Sequence, residues 1–225
     1  MHYVTPNLRQ FEKKIFSQFG EDGVIEELVR CLKIKNGSFL EFGIGPPWKM
    51  GLEAGLEGNL VHSRSVGWEG VFLDGSDYPH HIGVRREFIH ALNINVLYRK
   101  HALPDDLDVL SIDVDGQEFW IWMALDYRPK IVITEYNGSF PPDVSVTMPF
   151  NPGHYWDCKN NNGASLLAFN KLALSKGYTF VYSNGVNAFF VRDDMIANKS
   201  DFVFSDLHVQ AHYHPDDPTA VWVQI

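Results

Sequence analysis

The sequence predicts an α/β fold: a doubly wound, mostly parallel sheet closed by an antiparallel C-terminal hairpin strand. Three observations predict it. Short apolar runs alternate with helical stretches, the pattern of parallel strands joined by helical crossovers. The runs SFLEF, VFL, VLSI and IVIT are largely apolar rather than alternating, as suits strands buried on both faces. Near the end, YTFVYS and NAFFVRD flank Asn184-Gly185 and Val186, and Asn-Gly between two such runs signals a hairpin.

The elements follow in order. From Gly20 to Leu32, Val24, Ile25, Leu28, Val29 and Leu32 recur at helical spacing, with Glu26, Glu27 and Arg30 on the other face. Asn36-Gly37 ends that helix, and SFLEFGIG gives a first strand closing in glycines. A loop or helix from Trp48 to Val66 leads to a second strand at Val71–Leu73, closed by Asp74-Gly75. A short third strand is expected around Ile89–Leu92, then a helix over NVLYRKHALP that Pro104 ends. Val109–Ile112 is a fourth strand, with Asp113 and Asp115 at its carboxyl end. Glu118–Leu125 is helical and stops at Pro129, and Ile131–Thr134 is a fifth strand followed by Glu135, Tyr136 and Asn137. The helix ASLLAFNKLALSKG, ended by Gly177, precedes the hairpin. The reading is one domain over residues 1–225, with an irregular, proline-rich insert at 139–163 and an extension at 195–225.

Composition narrows the function. The chain has 225 residues, 45% of them hydrophobic and 14% aromatic, enough for a substantial core and contrary to a disordered chain. Nineteen Lys and Arg against 28 Asp and Glu leave a net charge of −9, so no general attraction to a nucleic-acid backbone is expected. Cys31 and Cys158 stand far apart, which argues against a disulfide framework or a zinc–thiolate site. The sequence shows no apolar stretch of bilayer length and a polar start without an apolar signal core, so a cytoplasmic protein with no membrane partner is expected.

The strand ends carry the chemistry. Ligands of open α/β sheets bind at the carboxyl ends of the strands. There the sequence sets Glu41-Phe42-Gly43-Ile44-Gly45, Asp74-Gly75, Asp113-Val114-Asp115-Gly116 and Glu135-Tyr136-Asn137. Any one of these carboxylates could cap a helix or make an Asx turn. Gly43 and Gly45 allow close approach of a ligand, but Pro46-Pro47 replaces the third glycine of a dinucleotide fingerprint and removes donors a pyrophosphate would use. A phosphate-free cationic nucleoside, S-adenosylmethionine, suits that loop better, with Glu41 near its cationic groups and Asp74 on its ribose hydroxyls.

At this point the chain resembles the FkbM-like branch of class I S-adenosylmethionine-dependent methyltransferases, which have a Rossmann-like sheet closed by an antiparallel strand. The matching segments are SQFGEDGVI, FLEFGIG, GWEGVFLDGS, LDVLSIDVDGQEFW, IVITEYN and GVNAFFVRDD, spanning Ser17 to Asp194. The resemblance implies that Glu41, Gly43 and Gly45 line the methionine part of the donor, Asp74 its ribose and Asn93 the adenine edge, with Asn59 in the donor loop. Asp113 would touch the donor. The segment IGPPWKMGLEAGLEGN departs from the family's pattern by its length and prolines.

Two readings of the remaining carboxylates stand. In one, Asp113, Asp115, Glu135 and Asn137 hold Mg2+ or another divalent cation, as in catechol-type O-methyltransferases, which use Asp, Asp and Asn there. EYN is one residue longer than that pattern. In the other, Asp113 touches the donor, Asp115 caps the next helix and Glu135 is a general base. His154, in the 139–163 insert, is the third catalytic candidate; with Tyr136, Tyr155, Trp156 and Asp157 it would wall an acceptor pocket for a sugar or phenol. His208, His212 and His214 read as solvated or capping residues. The resulting expectation is an O-methyltransferase acting on a small-molecule or glycan hydroxyl. A nicotinamide-dependent oxidoreductase and a non-catalytic binding protein of the same fold are the alternatives; oligomeric state is not legible.

Overall fold

The computed structural model describes residues 1–47 and 50–225, with the backbone but not the side chain of residue 53. In chain order the elements are α1 (Glu21–Leu32), β1 (Ser38–Phe42), α2 (Val61–Ser65), β2 (Glu69–Asp74), β3 (Val84–Arg86), α3 (Ile94–Lys100), β4 (Val109–Ile112), α4 (Glu118–Ala124), β5 (Ile131–Glu135), β6 (Val146–Thr147), α5 (Leu166–Lys176), β7 (Tyr178–Ser183), β8 (Asn187–Arg192), α6 (Phe204–Leu207) and β9 (Val223–Gln224). Among the described residues, seven strands form one sheet in the order β3-β2-β1-β4-β5-β8-β7. β1 to β5 are parallel, and β8 enters antiparallel between β5 and β7. The α/β class and the antiparallel closing strand are as the sequence predicts.

Period two along the buried strands sorts the core into two layers. Phe39, Val109, Ile131 and Ile133 face α1, packing with Val24, Ile25 and Leu28. Their neighbours Leu40, Leu110, Ile112 and Val132 face the layer of α3, α4 and α5. Continuing the first register toward the carboxyl rim, the residues that follow are Glu41, Ser111, Asp113 and Glu135. The α1-side core is therefore closed at that rim by polar groups.

The SQFGED segment is a carboxylate staple. Asp22 Oδ2 accepts from the N–H groups of Ile15, Phe16 and Ser17 and from Ser17 Oγ, at 2.7–2.8 Å. Glu21 Oε1 accepts from Asn184 and Asn187 of the β7–β8 hairpin at 2.7 and 2.8 Å, and its Oε2 accepts from Phe19 N. Both acids also open α1, where they favour the helix dipole. The N-terminal loop is thereby tied across the rim to the closing hairpin.

One expectation needs correction. The third strand lies at Val84–Arg86, where Val84 pairs with Phe72, and not at Ile89–Leu92. Asn93 explains the difference: its Oδ1 accepts from His90 N and its Nδ2 donates to the Phe88 carbonyl, folding residues 88–93 into a turn. Of the segment expected to be loop or helix from Trp48 to Val66, Trp48 lies outside the described residues; the rest holds a 3₁₀ turn at Leu52–Ala54 and α2. The insert and the extension also interlock in a way the sequence did not announce. β6 pairs with β9, Phe140 packs edge-on against Trp222, and Asn160 N donates to the Pro215 carbonyl. Among the described residues, no helix is long and apolar enough to cross a membrane.

Candidate active site

β1 and β4 lie close together where both leave the sheet. Gly43 has φ +72°, and a Cβ there would stand 1.5 Å from the Asp113 carbonyl oxygen. The next turn, Asp113 to Gly116, is held by Glu118, whose Oε1 accepts from Val114 N at 2.9 Å and Gly116 N at 2.7 Å. Asp115 sits in the left-handed region at φ 57°, a conformation Asp tolerates better than most side chains. The motif IDVDGQE thus encodes its own support: the glutamate five residues beyond Asp113 fixes the loop that presents both aspartates.

On that loop and at the end of β5, Asp113, Asp115 and Glu135 each bring one carboxylate oxygen within 4.8 Å of the other two. The Asp113 and Glu135 carboxyls stand within reach of each other, so ionising one disfavours ionising the other. Burial first, then the charges of Asp115, Glu118 and Glu41, hold Asp113 well above the usual carboxylate range. Burial and the charges of Asp113, Glu118 and Asp115 do the same to Glu135. Asp115 is exposed as a residue, yet desolvation of its carboxyl and the charge of Asp74 raise it, while His154 and His214 pull it back. Glu118 is 1% exposed and its Oε2 has no hydrogen-bond partner. Together with Glu135 and Asn137 it lines a hollow of about 40 Å³.

This arrangement fits a divalent cation. Oxygen ligands at roughly 2.1–2.6 Å from one ion can lie up to about twice that distance apart, which spans the 4.8 Å of the cluster. Four acidic groups with one unpartnered buried oxygen, and no Lys or Arg among the hollow's lining residues, are what an ion would relieve.

Without an ion, these acids give the protein a definite pH response. Glu41 and Glu118, ordinarily near 4.5, are both pushed up to about 7, chiefly by burial. The folded chain then keeps protons that the unfolded chain releases. Their stabilisation is complete below pH 4.5 and is lost as pH rises through about 7. Asp113 and Glu135 act in the same direction. Carboxylates held low by partners, Glu27 and Asp217 among them, titrate below this window, and His208, lowered by burial, opposes in part. In chelator-treated buffer the melting temperature is expected to be several degrees lower at pH 8 than at pH 5, at about 2–4 °C per kcal/mol. A flat or rising calorimetric profile would contradict this electrostatic picture.

Beside the cluster, a cleft of about 260 Å³ runs along the ends of β1, β2 and β4, lined by Gly43, Asp74, Phe88, Ile89, Asp115 and His154 among others. Asp74 Oδ1 accepts from Ser76 N at 2.7 Å, an Asx turn that aligns the side chain at the end of β2. Phe88 and Ile89 follow β3 and give the cleft an apolar stretch, which Tyr155 extends by packing on Phe88 at 5.4 Å. Gly45 lies at the edge, where a Cβ would come 3.0 Å from the Tyr78 hydroxyl.

Of the sequence-predicted residues, Gly43, Asp74, Asp113, Asp115, Glu135 and His154 gather around the cleft and the cluster. His154 stands on the cleft side: its Nε2 lies 3.1 Å from the Asp115 carbonyl. A carbonyl only accepts, so Nε2 is the donor in this contact. Other candidates spend their polar groups inside the protein. Glu41 accepts from Asn59 N and Leu60 N at 2.7 and 3.0 Å, anchoring the entry to α2, and Asn59 Nδ2 donates to Ser111 Oγ. Asn93 holds the turn after β3. Asn137 Oδ1 accepts from Ser139 N and Oγ while its Nδ2 donates to the Asn162 carbonyl, so its amide serves the insert. Tyr136 donates to the Val209 carbonyl and accepts from Gly185 N, buried rather than open as a wall. Sequence reading assigned no role to Glu118, although it closes the quoted motif. It also left the C-terminal extension as solvated, whereas Ala211, Tyr213 and His214 line the hollow.

Among solved structures, the chain is similar to the MycE methyltransferase from the mycinamycin biosynthetic pathway in complex with Mg, SAH and mycinamycin VI. The two are 18% identical over 76% of this chain and 49% of that one, with a TM-score of 0.45. The chain thus spans about half the length of that structure. No protein-family model and no curated protein matches the sequence.

Proposed function

We propose that the chain is an S-adenosylmethionine-dependent O-methyltransferase that acts on a hydroxyl of a small molecule or glycan with the help of a divalent cation. The observation that carries this reading is the juxtaposition of the cleft, with Asp74 at the end of β2, and the Asp113–Asp115–Glu135 cluster. The antiparallel β8, expected for the class I resemblance, supports it. The donor fits the cleft's chemistry: Asp74 commits one oxygen to Ser76 and, among the described residues, has no partner for the other, and Phe88 and Ile89 offer an apolar surface for a base.

S-adenosylmethionine supplies a methyl group on a cationic sulfur, open to in-line displacement, and a divalent cation supplies a Lewis acid for acceptor oxygens. Asp74 would hold the ribose hydroxyls, and Asp113, Asp115 and Glu135 the cation. In the reading without a cation, Glu135 would instead take the acceptor proton, its basicity raised by burial and by its acidic neighbours. Holding donor and acceptor in line is itself worth up to about 7–11 kcal/mol of barrier.

Titration calorimetry with S-adenosylhomocysteine tests the donor assignment. The parent protein should bind it and show no melting shift with NAD. Asp74→Ala removes a charged acceptor of two hydroxyls and should weaken binding by roughly tenfold or more. Unchanged affinity in that variant would remove the ribose role, and a melting shift with NAD alone would overturn the donor itself.

A further inference from the structure

The cleft and the acidic hollow share no lining residue, yet they meet at two places. Asp115 lines the cleft and Glu135 the hollow, with carboxylate oxygens within 4.8 Å of each other. Trp156 lines the cleft and His214 the hollow, and their rings pack edge to face at 4.7 Å. Tyr213 lines the hollow and is 55% exposed, so its ring leads from the hollow out to solvent. Phe19, 39% exposed, packs beside it at 6.0 Å. Backbone bonds fix the loops that carry both rings: Phe19 N donates to Glu21 Oε2 and Ala211 N to the Gly138 carbonyl, each at 2.8 Å.

The size and lining of the hollow select what enters it. At about 40 Å³ it has room for a hydroxymethyl group or two adjacent hydroxyls, not for a ring. The Asn162 side-chain amide makes no hydrogen bond among the described residues and offers a donor and an acceptor on one group, while the Glu135 carboxylate accepts from O–H. Glu118 and Glu135 line the hollow and no Lys or Arg does, so a carboxylate or phosphate there would meet like charge with nothing to offset it. At the mouth, the Tyr213 ring presents an apolar face suited to the C–H side of a sugar. We propose, on the methyltransferase reading above, that the hollow and Tyr213 form the acceptor subsite and select a neutral sugar, its hydroxyls in the hollow and its ring on Tyr213. The sugar oxygen bonds the methyl carbon as the C–S bond breaks, the electron pair of that bond stays on sulfur, and one proton is released to solvent.

The probes are phenyl β-D-glucoside and phenyl β-D-galactoside, with phenyl β-D-glucuronide and phenol for contrast, titrated into the full chain in chelator-treated buffer and followed by amide NMR shifts. A neutral glycoside should give saturable shifts at Asn162, Gly163, Ala211 and Tyr213. The glucuronide, with a carboxylate in place of the hydroxymethyl, and phenol, with no sugar, should each bind at least about tenfold more weakly. Tyr213→Ala, at an exposed position, should leave the fold intact and weaken glycoside binding by roughly tenfold, and Tyr213→Phe should restore it. Equal binding of glycosides, glucuronide and phenol, shifts confined to Phe88 and Ile89 of the cleft, no saturable shift with either neutral glycoside, or glycoside binding indifferent to Tyr213→Ala would each overturn the proposal. Calorimetry with S-adenosylhomocysteine on the same sample reports the donor cleft separately. Donor binding without glycoside binding would remove the subsite and leave the donor assignment standing. Glycoside shifts at the hollow without donor binding would overturn the methyltransferase reading, and the acceptor role with it.

Discussion

Asp113→Asn and Glu135→Gln are each expected to raise the melting temperature of the metal-free protein at pH 8 and to abolish its response to Mg2+ or Mn2+. The two carboxyls stand within reach of each other in surroundings that disfavour a second charge, and Glu118 and Asp115 add repulsion. An amide at either position can donate its N–H to the remaining carboxylate and spares the pair the proton it would otherwise have to take up at pH 8 to avoid a second charge. The gain should reach several degrees, at about 2–4 °C per kcal/mol. It should shrink at pH 5, where the parent carboxyls carry protons themselves. In the parent, a cation present at a hundred times its dissociation constant would stabilise by about 2.7 kcal/mol. Neither variant should show that rise, and methyl transfer should fall by roughly 10²–10⁴-fold, the usual worth of a positioned acid–base group. Differential scanning fluorimetry with and without the ions decides the matter. Variants less stable than the parent at pH 8 would mean the acids are not in conflict. Equal stabilisation of parent and variants would place the ion elsewhere.

The second large effect is structural. Gly43→Ala should lower the melting temperature by on the order of 10 °C and abolish binding of S-adenosylhomocysteine. Its Cβ would fall 1.5 Å from the Asp113 carbonyl, which is backbone and cannot swing aside. The left-handed φ adds about 1–2 kcal/mol, and forcing β1 and β4 apart about 1–3 more. Gly67→Ala separates these contributions. Gly67 has φ +96°, but a Cβ there would meet nothing within 4 Å, so only the conformational part should show itself. If the two substitutions cost the same in calorimetry, close packing of β1 on β4 is not what requires glycine at residue 43. Because the atom displaced belongs to Asp113, cation binding should fall with stability.

The alternation of strands and helices was legible because it is written in short-range periodicity: Phe39 to Phe42, Val109 to Ile112 and Ile131 to Thr134 are largely apolar whichever partners they find. Asn184-Gly185 specified the hairpin through backbone preference alone. The acidic strand ends were legible too, and a parallel sheet brings such ends to one edge as a matter of topology. Which of those polar groups remain available is a different question. Glu41, Asn59, Asn93 and Asn137 look no different in sequence from Asp74 or Glu135, yet each has a side-chain atom committed to a backbone or side-chain partner.

What the sequence by itself determined is the α/β class, the antiparallel closure and the edge at which the acids collect. Tertiary structure alone decided that the Asp113 and Glu135 carboxyls meet, that Glu118 keeps one oxygen unpartnered, and that Ala211, Tyr213 and His214 return to line the hollow beside Glu135. The physical reason is range. A strand or turn follows from a few neighbouring side chains, whereas a hydrogen-bond partner such as that joining Glu21 to Asn184 is chosen across 163 residues of chain.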